Sequence, residues 1–103
     1  MRPLAFVDLE TTGATEIGIV EVDADGSVRE WQQLVNPETR ISPFIENLTG
    51  ISNAMVADAP RFAEVAAKTI KRLEGRLFIA HNARFDYGFL KNEFKRAGMD
   101  FRA

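Results

Sequence analysis

Two carboxylates, Asp8 and Glu10, close the apolar run Leu4-Ala5-Phe6-Val7 and are followed at once by Thr11-Thr12-Gly13. A β-strand repeats every two residues, so both acids project from one face, a few ångströms apart. Like charges held that close destabilise one another unless a cation lies between them. A divalent metal is the commonest remedy, because hard cations prefer clustered oxygen ligands. A second cluster, His81-Asn82-Ala83-Arg84-Phe85-Asp86, follows the short apolar run Leu77-Phe78-Ile79-Ala80 and brings a further carboxylate.

The elements that must bring these clusters together can be read from apolar spacing. The first strand is apolar on both faces, which marks it as central and buried. Ile17 to Val22 is a second strand, and Asp23-Ala24-Asp25-Gly26 turns it into a third over Val28 to Val35, closed by Asn36-Pro37. Two short helical pieces are expected around Phe44–Leu48 and Asn53–Ala57. Pro60 opens a long helix whose stripe is Phe62, Val65, Ala66, Ile70 and Leu73, with Gly75 at its end. Leu77 to Ala80 is a fourth strand, and Ala83 to Ala97 a second long helix with Phe85, Phe89, Leu90 and Phe94 inward. The order βββαβα predicts an α/β fold: an antiparallel three-strand meander plus a fourth strand, returned parallel to the first by a helical crossover. Strand four then lies beside strand one. Its C-terminal end carries His81–Asp86 to Asp8 and Glu10, in the crevice where open sheets bind ligands.

Composition narrows the chemistry. With 103 residues, 46% of them hydrophobic, the chain amounts to one small domain. It has no cysteine, which excludes disulfides and thiolate metal sites and leaves oxygen ligands and His81. No segment approaches the roughly 20 apolar residues of a membrane span, and no signal-peptide pattern precedes the first strand, so the expectation is a soluble cytoplasmic protein without a membrane partner. The net charge of −2 hides an asymmetry: residues 1–60 hold three Lys/Arg against ten Asp/Glu, residues 61–103 ten against five. An acidic half beside a basic half suits a metal-dependent phosphodiester enzyme. Most of the lysines and arginines among Lys68, Lys71, Arg72, Lys91, Lys95 and Arg96 read simply as solvated helix faces.

Phe6-Val7-Asp8-Leu9-Glu10-Thr11-Thr12-Gly13 together with His81-Asn82-Ala83-Arg84-Phe85-Asp86 resembles the first two motifs of the DEDD 3′→5′ exonucleases, histidine subgroup. Within them it is similar to the proofreading group typified by the epsilon subunit of DNA polymerase III, which has a ribonuclease-H-like fold. The resemblance extends to Leu34-Val35-Asn36-Pro37 and Leu48-Thr49-Gly50-Ile51 and so covers essentially the whole chain. It implies metal-dependent removal of nucleotides, with Asp8, Glu10 and Asp86 as catalytic ligands of two divalent cations, Mg2+ or Mn2+. Thr11, Thr12 and Gly13 would let backbone and hydroxyl groups approach the terminal nucleotide, and His81, Asn82 and Phe85 would line the same cleft. Phe85 also falls on the helix's apolar stripe. The partners implied are a single-stranded nucleic-acid 3′ end, DNA before RNA, and a DNA polymerase subunit.

His81 to Asp86 also satisfies His-x-Ala-x-x-Asp, the string of the family's third motif. The preceding strand, the Asn-Ala-x-Phe-Asp pattern and the distance from Asp8 mark it as the second motif instead. His81 is then a cleft or structural residue and not the general base. No third motif follows, so residues 1–103 read as the front portion of a longer exonuclease domain, and Phe89 and Phe94 are expected to need cover from its missing part. The link from Gly13 to the second strand, Ala14-Thr15, is shorter than the family usually has. Asp8-Leu9-Glu10-Thr11-Thr12 also resembles the nucleophile motif of haloacid-dehalogenase-type phosphatases, but those expect aspartate at position 10 and an all-parallel sheet. A non-enzymatic alternative is a catalytically incomplete fragment that binds nucleic acid or a polymerase.

Overall fold

The computed structural model describes residues 2–11, 14–81 and 83–101, and gives the backbone alone for Glu10, Thr11, Ala14, Ala83, Arg84 and Phe85. Four strands, β1 (Leu4–Thr11), β2 (Ala14–Val22), β3 (Val28–Leu34) and β4 (Leu77–Ile79), form one sheet in the order β3-β2-β1-β4. β1 is antiparallel to β2 and β2 to β3, whereas β4 runs parallel to β1 with Phe6 opposite Ile79. The mixed sheet expected from the element order is therefore present.

Alternation along β2 sets which face is covered. Thr15, Ile17, Ile19 and Glu21 are buried, as are Ala5, Val7 and Leu9 of β1. This face packs on helices α3 (Phe62–Leu73) and α4 (Ala83–Arg96). Because the alternation runs back to Thr15, β2 begins at Ala14, three residues before the expected start, and Thr11 pairs with Ala14. The first motif therefore runs directly into β2, and the two residues between the strands, Thr12 and Gly13, lie outside the described residues.

The opposite face departs from expectation. Phe6 is 42% exposed and Leu77 41%, so β1 is central in the sheet but open on one side. Apolar side chains on both faces of a strand indicate only that each face can be buried; here two helices supply cover to one. Phe94, expected to need cover, is buried between Phe62 (ring centroids 5.1 Å) and Phe101 (4.9 Å). Each such aromatic pair contributes about 1 kcal/mol beyond its burial. Phe89 packs half-buried against the same core.

α3 follows its apolar stripe, with Phe62, Val65, Ala66, Thr69, Ile70 and Leu73 all buried. It starts at Phe62 rather than Pro60, since the Arg61 N–H donates to Glu64 Oε2 at 2.9 Å and Arg61 bridges to Asn36. Gly75, at φ 72°, takes the left-handed conformation that lets the chain leave α3 and enter β4. The short helices α1 (Pro43–Thr49) and α2 (Asn53–Ala57) enclose a satellite core of Ile41, Ile51 and Val56 against Leu34. Among the described residues no helix is long and apolar enough to cross a membrane.

Candidate active site

Strand register places the first acid. Asp8 lies opposite Gly18 and Glu10 opposite Glu16 on the neighbouring strand. On the other side β4 rises in parallel with β1 from Leu4–Leu77 to Phe6–Ile79. Two residues further along each chain stand Asp8, inside β1, and His81, just past the C-terminal end of β4, and both line one cleft beside those ends. α4 then begins at Ala83, so its first turn carries Asp86 back over those ends.

Asp86 is 9% exposed, and burial raises its carboxyl pKa above the ordinary value. The negative charge of Asp8 raises it further, while His81 acts in the opposite direction. Asp8, His81 and Asp86 thus sit within electrostatic reach of one another, although they lie on three different elements. Asp8 and His81 are both exposed. They border a cleft of about 800 Å³ on the open face of the sheet, whose walls include Phe6, Glu16, Gly18, Val20, Glu30 and Ile79. His81 is therefore a cleft residue and not a packed structural one.

Glu16, Gly18 and Glu30 were not singled out from the sequence. Their signal was the pairing register: with Thr15, Ile17 and Ile19 on the covered face, Glu16 and Gly18 must face the side that holds Asp8. A Cβ built on Gly18 would stand 3.6 Å from Asp8 O and 3.9 Å from Asp8 Cβ. The absence of a side chain there keeps the floor beside Asp8 open.

Thr12, Gly13 and Asn82 lie outside the described residues, as do the side chains of Glu10, Thr11 and Phe85. Among the described residues no group of three metal-ligating side chains is assembled, a set that omits the Glu10 carboxylate. The described hard oxygen donors within electrostatic reach of one another are Asp8 and Asp86, and the pKa of Asp86 is raised by its burial first and by repulsion from Asp8 second. Such a donor set fits a divalent cation, which would offset the repulsion and favour the ionised Asp86.

The charge asymmetry of the sequence is partly consumed in the fold. Arg72 is not on a solvated face: it stacks 4.7 Å over the Trp31 ring and donates to Glu21 Oε2 at 3.2 Å. Arg76 pairs with Glu21 and Asp23 and donates to the carbonyls of Leu4 and Val22. This network lies at the Leu4–Val22 end of the β1–β2 pair, away from the cleft end.

The family model described as Exonuclease (RNase_T) matches residues 5–101. A PolC-type DNA polymerase III of Caldanaerobacter subterraneus is 40% identical over 99 residues, covering 89% of this chain and 7% of that protein. The 3′-5′ exonuclease DinG of Bacillus subtilis is 38% identical over 101 residues, covering 90% and 11%. The chain thus spans about a tenth of the length of these curated relatives. Among solved structures, exonuclease X in complex with 5′ overhanging duplex DNA superposes with TM-score 0.69 at 36% identity, over 84% of this chain and 53% of that one. E. coli exonuclease I in complex with a dT13 oligonucleotide gives TM-score 0.82 at 20% identity, over 97% and 25%, a likeness of fold. The sheet is ribonuclease-H-like.

Proposed function

The chain belongs to the exonuclease family, whose pattern spans residues 5–101, and we propose that it removes nucleotides from single-stranded DNA 3′ ends by metal-dependent hydrolysis. The observation that carries the reading is that Asp8 lines the open cleft while the buried Asp86 lies within its electrostatic reach, the Asp86 pKa being raised by burial first and then by the Asp8 charge. A carboxylate on a space large enough for a nucleotide, with a second carboxylate near it, suits phosphodiester hydrolysis.

In this reading Asp8, Glu10 and Asp86 hold two Mg2+ or Mn2+ ions. When bound, such ions supply a nucleophilic water at neutral pH and neutralise charge on the scissile phosphate. The chain's own residues position the substrate. Gly18 leaves room beside Asp8 for the terminal nucleotide, and Thr11, Thr12 and Gly13 are assigned to its contact by the family resemblance. His81, at the mouth of the cleft, offsets negative charge at Asp86 and contacts substrate without acting as the base. Asn82 and Phe85 are assigned to further substrate contact by the same resemblance.

This assignment places the protein in the histidine subgroup of DEDD exonucleases, with a proofreading role beside a cytoplasmic DNA polymerase. The 40% identity with part of a PolC-type polymerase supports that role. The test is a 5′-labelled single strand incubated with the protein and magnesium. A ladder of products shortened from the 3′ end is expected, and chelator should abolish it. A strand that is bound and retarded but left intact, with magnesium present, would overturn the enzymatic reading in favour of a binding domain.

A further inference from the structure

Phe6 places an aromatic side chain on the open face of the sheet, 42% exposed. It stands two residues before Asp8 on β1, and the alternation that buries Ala5, Val7 and Leu9 turns Phe6 and Asp8 to the same side. Strand register then sets two rows across this face. Gly18 and Asp8 form one, with His81 just past the end of β4; Val20, Phe6 and Ile79 form the next, each opposite its neighbour. All six residues line the cleft of about 800 Å³, whereas the following row, Val22, Leu4 and Leu77, does not. The cleft thus carries a carboxylate and an imidazole at one level and an apolar shelf at the other. The shelf spans two strand spacings, about 10 Å, and lies about 7 Å along β1 from Asp8. A nucleobase matches the first dimension, and the sugar between a base and its phosphate matches the second. Leaving so much aromatic surface in water forgoes burial free energy, which a stacked base would recover.

We propose that Phe6, flanked by Val20 and Ile79, is the platform on which the base of the 3′-terminal nucleotide stacks while its phosphate lies at Asp8. This rests on the exonuclease reading above and specifies where the base of its substrate lies. None of the three side chains has a hydrogen-bonding group, so the platform senses that a base is present without reading which one. It favours an intact 3′ end over one that has lost its base.

The first cleavage is timed in magnesium, at sub-saturating protein under single-turnover conditions, on two 5′-labelled thymidylate octamers. One ends in thymidine and the other in an abasic tetrahydrofuran residue. The unsubstituted protein should cleave the thymidine end about tenfold faster, the worth of one base stacked on an aromatic ring. Phe6→Leu, which keeps an apolar side chain without the ring, should bring that ratio close to one, and Phe6→Trp should restore or raise it. A ratio of one in the unsubstituted protein, or a ratio that Phe6→Leu leaves unchanged, overturns the platform while the exonuclease reading stands. If the unsubstituted protein shortens neither octamer, the exonuclease reading fails and the platform with it. A dimer that Phe6→Ser disperses, with the ratio intact, would assign the row to a second copy of the chain and overturn the proposal.

Discussion

Burial and then the negative charge of Asp8, on a central strand, raise the pKa of Asp86, which lies 78 positions later in the numbering, on the first turn of the last helix. The parallel pairing of β1 with β4 brings the chain that leads into that helix alongside the strand that carries Asp8. Removing either member should therefore disable the same site.

Asp8→Ala and Asp86→Ala are each expected to lower 3′ nucleotide release at least a hundredfold, about 3 kcal/mol of lost transition-state stabilisation. His81→Ala should cost less than about tenfold, since an exposed cleft histidine that is not the base contributes binding alone. Single-turnover rates in magnesium measure all three. A His81→Ala protein as inactive as Asp8→Ala, with its fold intact by circular dichroism, would make His81 the base.

The raised pKa of Asp86 has a sign that can be checked. Burial first, then Asp8, favour the protonated acid in the folded state, so its contribution to stability is full below the ordinary value of 3.8 and is lost as pH rises through the folded value. Without metal, Asp86→Asn should then melt higher than the unsubstituted protein at neutral pH, with the gap closing below about pH 4. Magnesium should reverse the order at neutral pH, because only the carboxylate gains from the cation. Thermal scans with chelator and with magnesium decide it; a gap that is independent of pH would sink the account.

Much of this arrangement was legible in the sequence because it is local. Asp8 stands out from a strand whose Ala5, Val7 and Leu9 alternate into the core, Asp23-Ala24-Asp25-Gly26 announces the turn, and the α3 stripe recurs at helical spacing. What was not legible depends on partners remote in the chain. Phe101 follows the helix-ending Gly98 in a short stretch with no periodicity to mark it, yet it completes the burial of Phe94. Arg72 reads as a surface helix residue until Glu21, 51 positions away, is brought beneath it. The open face escaped for a related reason: Phe6 is apolar whether or not anything covers it.

Arg76 gives a test of the fold that leaves the site alone. It pairs with Glu21, which is 3% exposed, and holds the Leu4 and Val22 carbonyls at 3.3 and 3.1 Å. Truncation strands a buried carboxylate with fewer cations and leaves two carbonyls short of a donor. Arg76→Ala should lower the urea unfolding free energy by about 3 kcal/mol. Below its melting range the variant should retain the rate of nucleotide release, because the network sits at the far end of the sheet. A rate loss with unchanged stability would contradict that separation.

Gly18 separates site from fold in the other direction. Its missing side chain faces Asp8, and a first carbon there would make only ordinary contact, 3.6 Å to the Asp8 carbonyl oxygen. Gly18→Ala should therefore fold with a stability change under about 1 kcal/mol. Gly18→Val carries two more methyl groups into the cleft between Asp8 and Val20, while suiting the strand better than glycine does. Its melting temperature should hold or rise as 3′ nucleotide release falls more than about tenfold, the cost of displacing the reacting phosphate from its ligands. Full activity in a folded Gly18→Val protein would mean that the terminal nucleotide does not lie on this floor, and would move the substrate path to the other side of Asp8.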